Sequence, residues 1–475
     1  MGSDQLGLQY VALCCATLMI GWLLHWVYRW VNPPCIVGKL PPGSMGFPVV
    51  GETFQLFKAS PSIDIPSYYR DRLKRYGPVF KTNLVGQPLV FSLDPEFNRL
   101  IFQQEGKLFR SWYPETANNI FGKKSITTYS GTVHKFIRSF SSKLFGAESL
   151  REVLIGELEN AMRQGFPSWA ARPSIEVKDS VADMIFDLVA KKMISIELVE
   201  SRELKKNFED FVSQYTSLGH HLQVHEEFVL TMDSCMKGTK KVHEKLTGLL
   251  QDRLRTPGNF ATISATLTIG LKLLTDNPKV VETLKEHEEI LKQRGNKNSG
   301  FTWDEYRSLA FTTQVMNEIN RMSNIAPGIF RKTLKDVQVN GCTIPAGWLV
   351  MISPMAVHLN PTLFEDPLRF NPWRWMTHDE TKRSMQQRNF MPFGGGIRLC
   401  LGAEFSKLFI SLFLHVLVTK YRYSICVLIW LFEQISDSCA ILMVCRWIEI
   451  KGEVLRVAEM IIPQGYHIQI VPTTE

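Results

Sequence analysis

The segment Phe393 to Gly402 reads FGGGIRLCLG, and no other stretch limits the chain as tightly. Three consecutive glycines oppose both helix and strand. They also let the backbone pass close to a flat ligand, because no Cβ stands in the way. Cys400 closes that loop and Gly402 follows it. As a thiolate it is a soft ligand able to bind iron and push electron density towards it. Backbone N–H groups and the nearby cation Arg398 would hold the sulfur ionised, and Phe393 would cover it against water. A phosphate-cradling loop fits poorly, since no Lys-Ser/Thr pair opens a helix after the glycines. Zinc fits worse, for want of a second ligand nearby. A buried cysteine beside a glycine-rich turn, with no chemistry at all, is the plain alternative.

The company of the loop decides against that alternative. Glu318 and Arg321 lie one turn apart on a helical pattern that begins near Asp304, so they share a face. Downstream, the phrase FNPWRW at 370–375 offers a second guanidinium, Arg374. A carboxylate between two arginines tolerates burial, because buried charges demand partners and hydrogen bonds. Alone, Glu318 and Arg321 would read as an ordinary surface pair.

Charge and cysteine usage narrow the function class. The 54 basic and 46 acidic residues give a net charge of +8, spread along all 475 residues without a run of five or six like charges. That pattern argues against nucleic acid and for a basic face presented to an acidic protein partner. Nine cysteines form an odd set with no Cys-x-x-Cys, so no disulfide framework is expected and a reducing compartment is. His220, His221 and His225 resemble a metal cluster, but their polar surroundings make them surface residues.

The N-terminus reads as a membrane anchor over residues 1–31. Leu6 to Val27 contains no Asp, Glu, Lys or Arg, and about 20 apolar residues span a bilayer core. Trp22, Trp26, Tyr28 and Trp30 gather at one end like an interfacial belt. The start MGSDQ has no positive charge, which argues against a cleaved signal peptide. Arg29 and Lys39 come after the span and no basic residue precedes it, which places the body in the cytoplasm. Residues 32–52 carry LPPGSMGFP and read as a stiff hinge. Residues 53–475 read as one large domain, mainly α with small β-sheets. Strands are expected at 79–82, 89–92, within 337–352 and near 465–471, with helices over 149–164 and 237–255.

Loop, carboxylate and arginines, in this order and spacing, resemble the plant microsomal cytochrome P-450 enzymes from the hinge to the C-terminus. The resemblance implies a single cytochrome P-450 fold and haem b (iron protoporphyrin IX) with Cys400 as axial iron ligand. Glu318, Arg321 and Arg374 would lock the fold beneath it. It further implies that His134 and Arg138 on an early helix join Arg331 and Arg398 in holding the haem propionates, with Phe393 and Gly394 against the cofactor. The phrases PPGSMGFPVVGE, FNPWRW and MPFGGGIRLC are similar to the plant group acting on sterols, brassinosteroids and triterpenes. That likeness implies hydroxylation of a bulky apolar small molecule, with electrons from NADPH through NADPH-cytochrome P-450 reductase. The setting implied is the endoplasmic reticulum membrane.

Two departures from the family pattern stand out. Its central helix carries an acid and a hydroxyl in adjacent positions for proton delivery. Here Thr262 supplies the hydroxyl, but Ala261 occupies the acid position, and Thr256-Pro257-Gly258-Asn259 stands where earlier helix turns belong. The second departure is the stretch 424–446, which reads as an insertion before the last strands. These features keep two other readings open: a hydroperoxide-rearranging haem enzyme that uses no reductase, and an inactive variant.

Overall fold

The computed structural model describes residues 2–35, 37–56, 58, 63–113, 129–194, 260–294, 299–326, 328–421, 448–451, 454–456 and 460–470. The expected helix over 237–255, the three clustered histidines, the stretch before Phe260 and the apparent insertion at 424–446 lie outside these residues. The architecture is mainly helical with small sheets, and the chain divides into two compact units. One comprises Met1–Leu56, Ser67–Trp112 and Phe330–Ser353. The other comprises Phe57–Pro66, Tyr113–Ile329 and Pro354–Glu475.

The first unit is built on short, largely buried strands. β1 (Val79–Leu84) and β2 (Gln87–Ser92) pair antiparallel, both longer than the sequence predicts. β3 (Phe109–Ser111) ends a five-stranded sheet of order β1-β2-β8-β5-β3, with β5 at Ile329–Thr333 and β8 at Leu349–Ile352. The short strands expected within 337–352 are three. β6 (Val337–Val339) and β7 (Cys342–Ile344) form a hairpin, and β8 runs parallel to β2. Asn340-Gly341 turns the hairpin with both φ angles positive (48° and 73°). Phe80, Phe91, Tyr68 and Tyr69 fill the core beneath this sheet.

The N-terminal 30 residues from Gly2 to Val31 form one helix. Among the described residues, no helix is long and apolar enough to cross a membrane. The proline- and glycine-rich segment after it is bonded to the sheet: Lys81 N–H donates to Pro42 O (2.8 Å) and Glu52 N–H to Asn83 O (2.9 Å). Gly51 has φ +66°, and a Cβ there would stand 2.0 Å from Asn83 O, so only glycine fits.

The second unit holds the long helices. Ile155–Ala170, Val177–Ile194, Phe260–Thr275, Ala310–Ser323 and Ala403–Lys420 share one apolar core. The last of these buries most of its length, with Leu408, Phe409, Leu412, Phe413 and Leu417 all sealed from water. Phe166 meets Phe413 with ring centres 4.9 Å apart and stacks on Tyr421. Gly270 lets Phe260–Thr275 approach Ala310–Ser323 closely, since a Cβ there would lie 2.8 Å from Ile319 Cδ1. The helix expected from near Asp304 is in fact two: Trp303–Ser308, closed by a Thr302–Glu305 capping box, and Ala310–Ser323. Leu309 breaks them at ψ 71°. Two small sheets complete the unit: β4 (Ile175–Glu176), β12 (His467–Gln469) and β9 (Ile448–Lys451) in that order, and β10 (Leu455–Arg456) with β11 (Met460–Ile461).

A buried polar chain crosses this core. Thr312 donates its hydroxyl to Glu286, so its oxygen accepts from His287 Nε2–H (2.9 Å). His287 Nδ1 in turn meets His415 Nδ1 at 3.2 Å. Burial holds His415 neutral, with its pKa lowered to about 3.

Candidate active site

Glu318 and Arg321 face inward from Ala310–Ser323 among Val315, Ile319 and Met322, the apolar stripe that seats the helix. Both are fully buried. Arg321 grips the carboxylate with Nε and Nη2, each at 2.9 Å. Arg374, on a short 3₁₀ turn at Pro372–Met376, adds its Nε at 2.9 Å. Two donors that the sequence does not announce complete the shell: the Asn371 N–H (3.0 Å) and the Trp375 indole N–H (3.0 Å). Five donors meet one carboxylate, the partnering that burial of a charged group demands. The guanidinium groups are satisfied in turn: Arg321 donates to His358 O (2.9 Å), and Arg374 donates to the carbonyls of Glu365 (2.6 Å) and Asp366 (3.2 Å). The only hint of Trp375 in the sequence is its place beside Arg374.

The cysteine loop has the opposite character. Gly394 and Gly396 adopt φ +74° and +63°, values that a side chain resists, and Gly396–Arg398 makes a single 3₁₀ turn. The Cys400 N–H donates to Phe393 O (3.0 Å) and the Gly394 N–H to Met391 O (3.1 Å), so the loop closes on itself. Ile397 and Leu399, in the same loop, stand exposed. Burial of the sulfur's inner side pushes the Cys400 thiol up, against the Gly402 N–H and the Arg138 charge, which pull it down. Cys400 itself keeps an exposed edge.

Two cations of the expected set reach this loop. Arg138, on the helix Gly131–Phe145, donates to Leu399 O (2.6 Å). Arg398 donates to Tyr129 O just before that helix (2.6 Å). His134 lies one turn before Arg138 and is buried. Arg331 belongs to the other unit, where its Nε lies 2.7 Å from Glu105 Oε2, at ion-pair distance without hydrogen-bond geometry. Lys407 sets its ammonium 5.7 Å from the Phe393 ring centre, a cation that no sequence motif marks. Thr262 is partly buried in the first turn of Phe260–Thr275, and Ala261 precedes it, leaving no carboxylate at that step.

The donor set fits haem iron. It offers one sulfur with an open edge, a loop stripped of Cβ atoms at two left-handed glycines, and two arginines tied to the same loop. Among the described residues, no three His, Cys, Asp or Glu side chains gather as an alternative metal site.

The chain belongs to the cytochrome P450 family, whose model matches residues 41–256 and 258–428. Its enzyme class is that of the cytochrome P450 monooxygenases, and the family implies a haem iron cofactor. Among its relatives, cytochrome P450 87A3 of Oryza sativa subsp. japonica is 40% identical, covering 98% of this chain and 92% of its own. Cucurbitadienol 11-hydroxylase of Siraitia grosvenorii is 38% identical over 87% of this chain and 94% of its own. Beta-amyrin 16-alpha-hydroxylase of Maesa lanceolata is 36% identical, with coverages of 84% and 91%. A retinoic acid-bound cyanobacterial structure, CYP120A1, shares the fold at a TM-score of 0.73 and 20% identity, over 92% of this chain and all of that one.

Proposed function

We propose that this chain hydroxylates a bulky apolar triterpenoid or sterol, taking electrons from NADPH through a cytochrome P450 reductase. The observation that carries the reading is the cysteine loop: a lone sulfur with an open edge, framed by left-handed glycines and two loop-bound arginines. Relatives named for cucurbitadienol and beta-amyrin hydroxylation support the substrate class. Haem held by Cys400 supplies the dioxygen and one-electron chemistry that no side chain provides. The chain's own residues do the rest. Arg138, Arg398 and His134 would hold the propionate edge. Phe393 screens the sulfur from water, and Gly394 admits the cofactor plane. Glu318, Arg321 and Arg374 hold the frame. The Thr262 hydroxyl would handle a proton, with Ala261 rather than an acid preceding it. The helix Gly2–Val31 anchors the chain in the endoplasmic reticulum membrane with its body in the cytoplasm, and residues 53–475 form the catalytic domain.

Membranes carrying the full chain and a plant reductase test this with a panel of triterpene alcohols. A hydroxylated product that requires NADPH is expected. Because Ala261 holds the acid position, NADPH consumption should exceed product by a wide margin, as loss of an acid–base group slows proton transfer by about 10²–10⁴-fold. The same vacancy favours one second reading, a rearrangement of lipid hydroperoxides without reductase. Turnover of a hydroperoxide in the absence of NADPH, with no hydroxylated triterpene in its presence, would establish that reading instead.

A further inference from the structure

Met391 opens the cysteine loop, and its N–H points at the ring of His358, 3.0 Å from Nε2. A ring nitrogen that accepts a hydrogen bond carries no proton, so the proton of the neutral imidazole sits on Nδ1. Nδ1 lies 2.9 Å from Asn324 Oδ1. The amide's orientation is fixed independently: Asn324 Nδ2 donates to the carbonyls of Arg321 (2.8 Å) and Met322 (3.3 Å), leaving its oxygen for the imidazole. Asn324 ends the helix of Glu318 in the left-handed conformation, φ 45°, which asparagine tolerates better than most residues. The ring of His358 is sealed from water beside Phe364 and Phe390.

We propose that His358 is a positioning residue for the cysteine loop. Locked as the Nδ1–H tautomer by Asn324, it offers Nε2 to the Met391 N–H and ties the start of the loop to the end of the Glu318 helix. From Met391 the tie continues through Gly394, whose N–H returns to Met391 O, and through Phe393 O, which receives the Cys400 N–H. His358 acts only through the loop. Protonation would fill Nε2 and break the tie, and burial, reinforced by the Arg321 charge, keeps the ring neutral. The consequence for haem rests on the reading of Cys400 as its ligand; the tie itself does not.

Hydrogen exchange on the full-length haem-loaded protein tests it, comparing amides of the segment 391–401 with those of the helix Ala403–Lys420. His358→Gln keeps an acceptor near the place of Nε2. His358→Asn keeps polarity only near Nδ1, and His358→Leu keeps bulk alone. Loss of one buried hydrogen bond should speed loop exchange about tenfold in the Asn and Leu variants, and Gln should restore most of the protection. The fraction of protein showing a thiolate-type Soret shift with carbon monoxide should fall in the same order. Gln exchanging as fast as Leu, or loop and helix speeding up equally in all three, overturns the proposal. Should no variant accumulate, nitrogen-15 spectra of the histidines in the parent decide. An unprotonated Nε2 coupled to the Met391 amide supports the tie, and an Nε2–H ring sinks it. If Cys400→Ala retained the thiolate signature while the exchange order held, the ligand assignment would fall and the tie would stand.

Discussion

The Glu318 cluster and the Cys400 loop lie in the same unit and solve opposite problems. Around Glu318 every charge is buried and answered: five donors on one carboxylate, and main-chain carbonyls on the outer faces of both arginines. Around Cys400 the backbone is left-handed at two glycines, apolar side chains stand in water, and the sulfur keeps an open edge. The first arrangement gains nothing from a further partner. The second leaves the cysteine free of any such network. A frame of mutually satisfied buried charges thus sits beside a loop whose cysteine takes no part in that frame, so the two should respond differently to substitution.

The largest expected effect is on the closed side. Glu318→Ala leaves two buried guanidinium groups without their carboxylate, an imbalance worth about 3–5 kcal/mol. Folded haem protein should fail to accumulate, measured as the yield of carbon monoxide-binding protein per total chain. A stable Glu318→Ala variant with full haem content and impaired turnover would erase the distinction between frame and site.

Acid should attack the closed regions next. His358 and His415 both fall to about 3 in the folded chain from an ordinary 6.5, so each is neutral when folded and protonated when unfolded at mildly acid pH. The unfolded state then binds more protons, and stability falls as pH drops below 6.5 towards 3. Well below 6.5, each histidine contributes a loss of about 1.4 kcal/mol per pH unit. Denaturant midpoints measured from about pH 7 to about 4.5 read the slope, and His415→Phe should flatten part of it. A slope unaffected by either histidine would mean that the unfolded chain, not these cores, governs acid sensitivity.

The smallest effect belongs to the open side. Cys400→Ala removes a side chain that the fold does not lean on, and the cofactor-free chain should change stability by no more than about 0.5 kcal/mol. The thiolate-type Soret shift should nevertheless vanish completely. A destabilisation of the cofactor-free chain as large as that of Glu318→Ala would show that the sulfur is part of the frame.

Much of the fold class was legible in the sequence, because short apolar runs mark β1 and β2 and long apolar helices dominate the rest. The pairing of Glu318 with Arg321 was legible too, since three residues make about one helical turn. What escaped has a common cause. Asn371 and Trp375 reach Glu318 across more than fifty residues of sequence, and neither a backbone N–H nor an indole advertises its acceptor. The break at Leu309 was hidden inside a continuous helical pattern. His358 carried no signal because its partners are a main-chain amide and an asparagine fixed by helix termination. The match of the loop to haem rests on residue types rather than on periodicity, which is why it stood out earliest.

The bonding of the segment after the N-terminal helix also sets a reach. The helix ends at Val31, and Lys39 O is already held by the Thr343 N–H of β7 at 2.7 Å. Only eight peptide steps separate these two residues, a path no longer than about 28 Å even when fully drawn out. The Trp30 indole shortens it further by donating to Gly46 O at 3.3 Å. The helix is therefore moored on a short rope to the β6–β7 hairpin. Whatever surface receives the helix must accept that hairpin at close quarters.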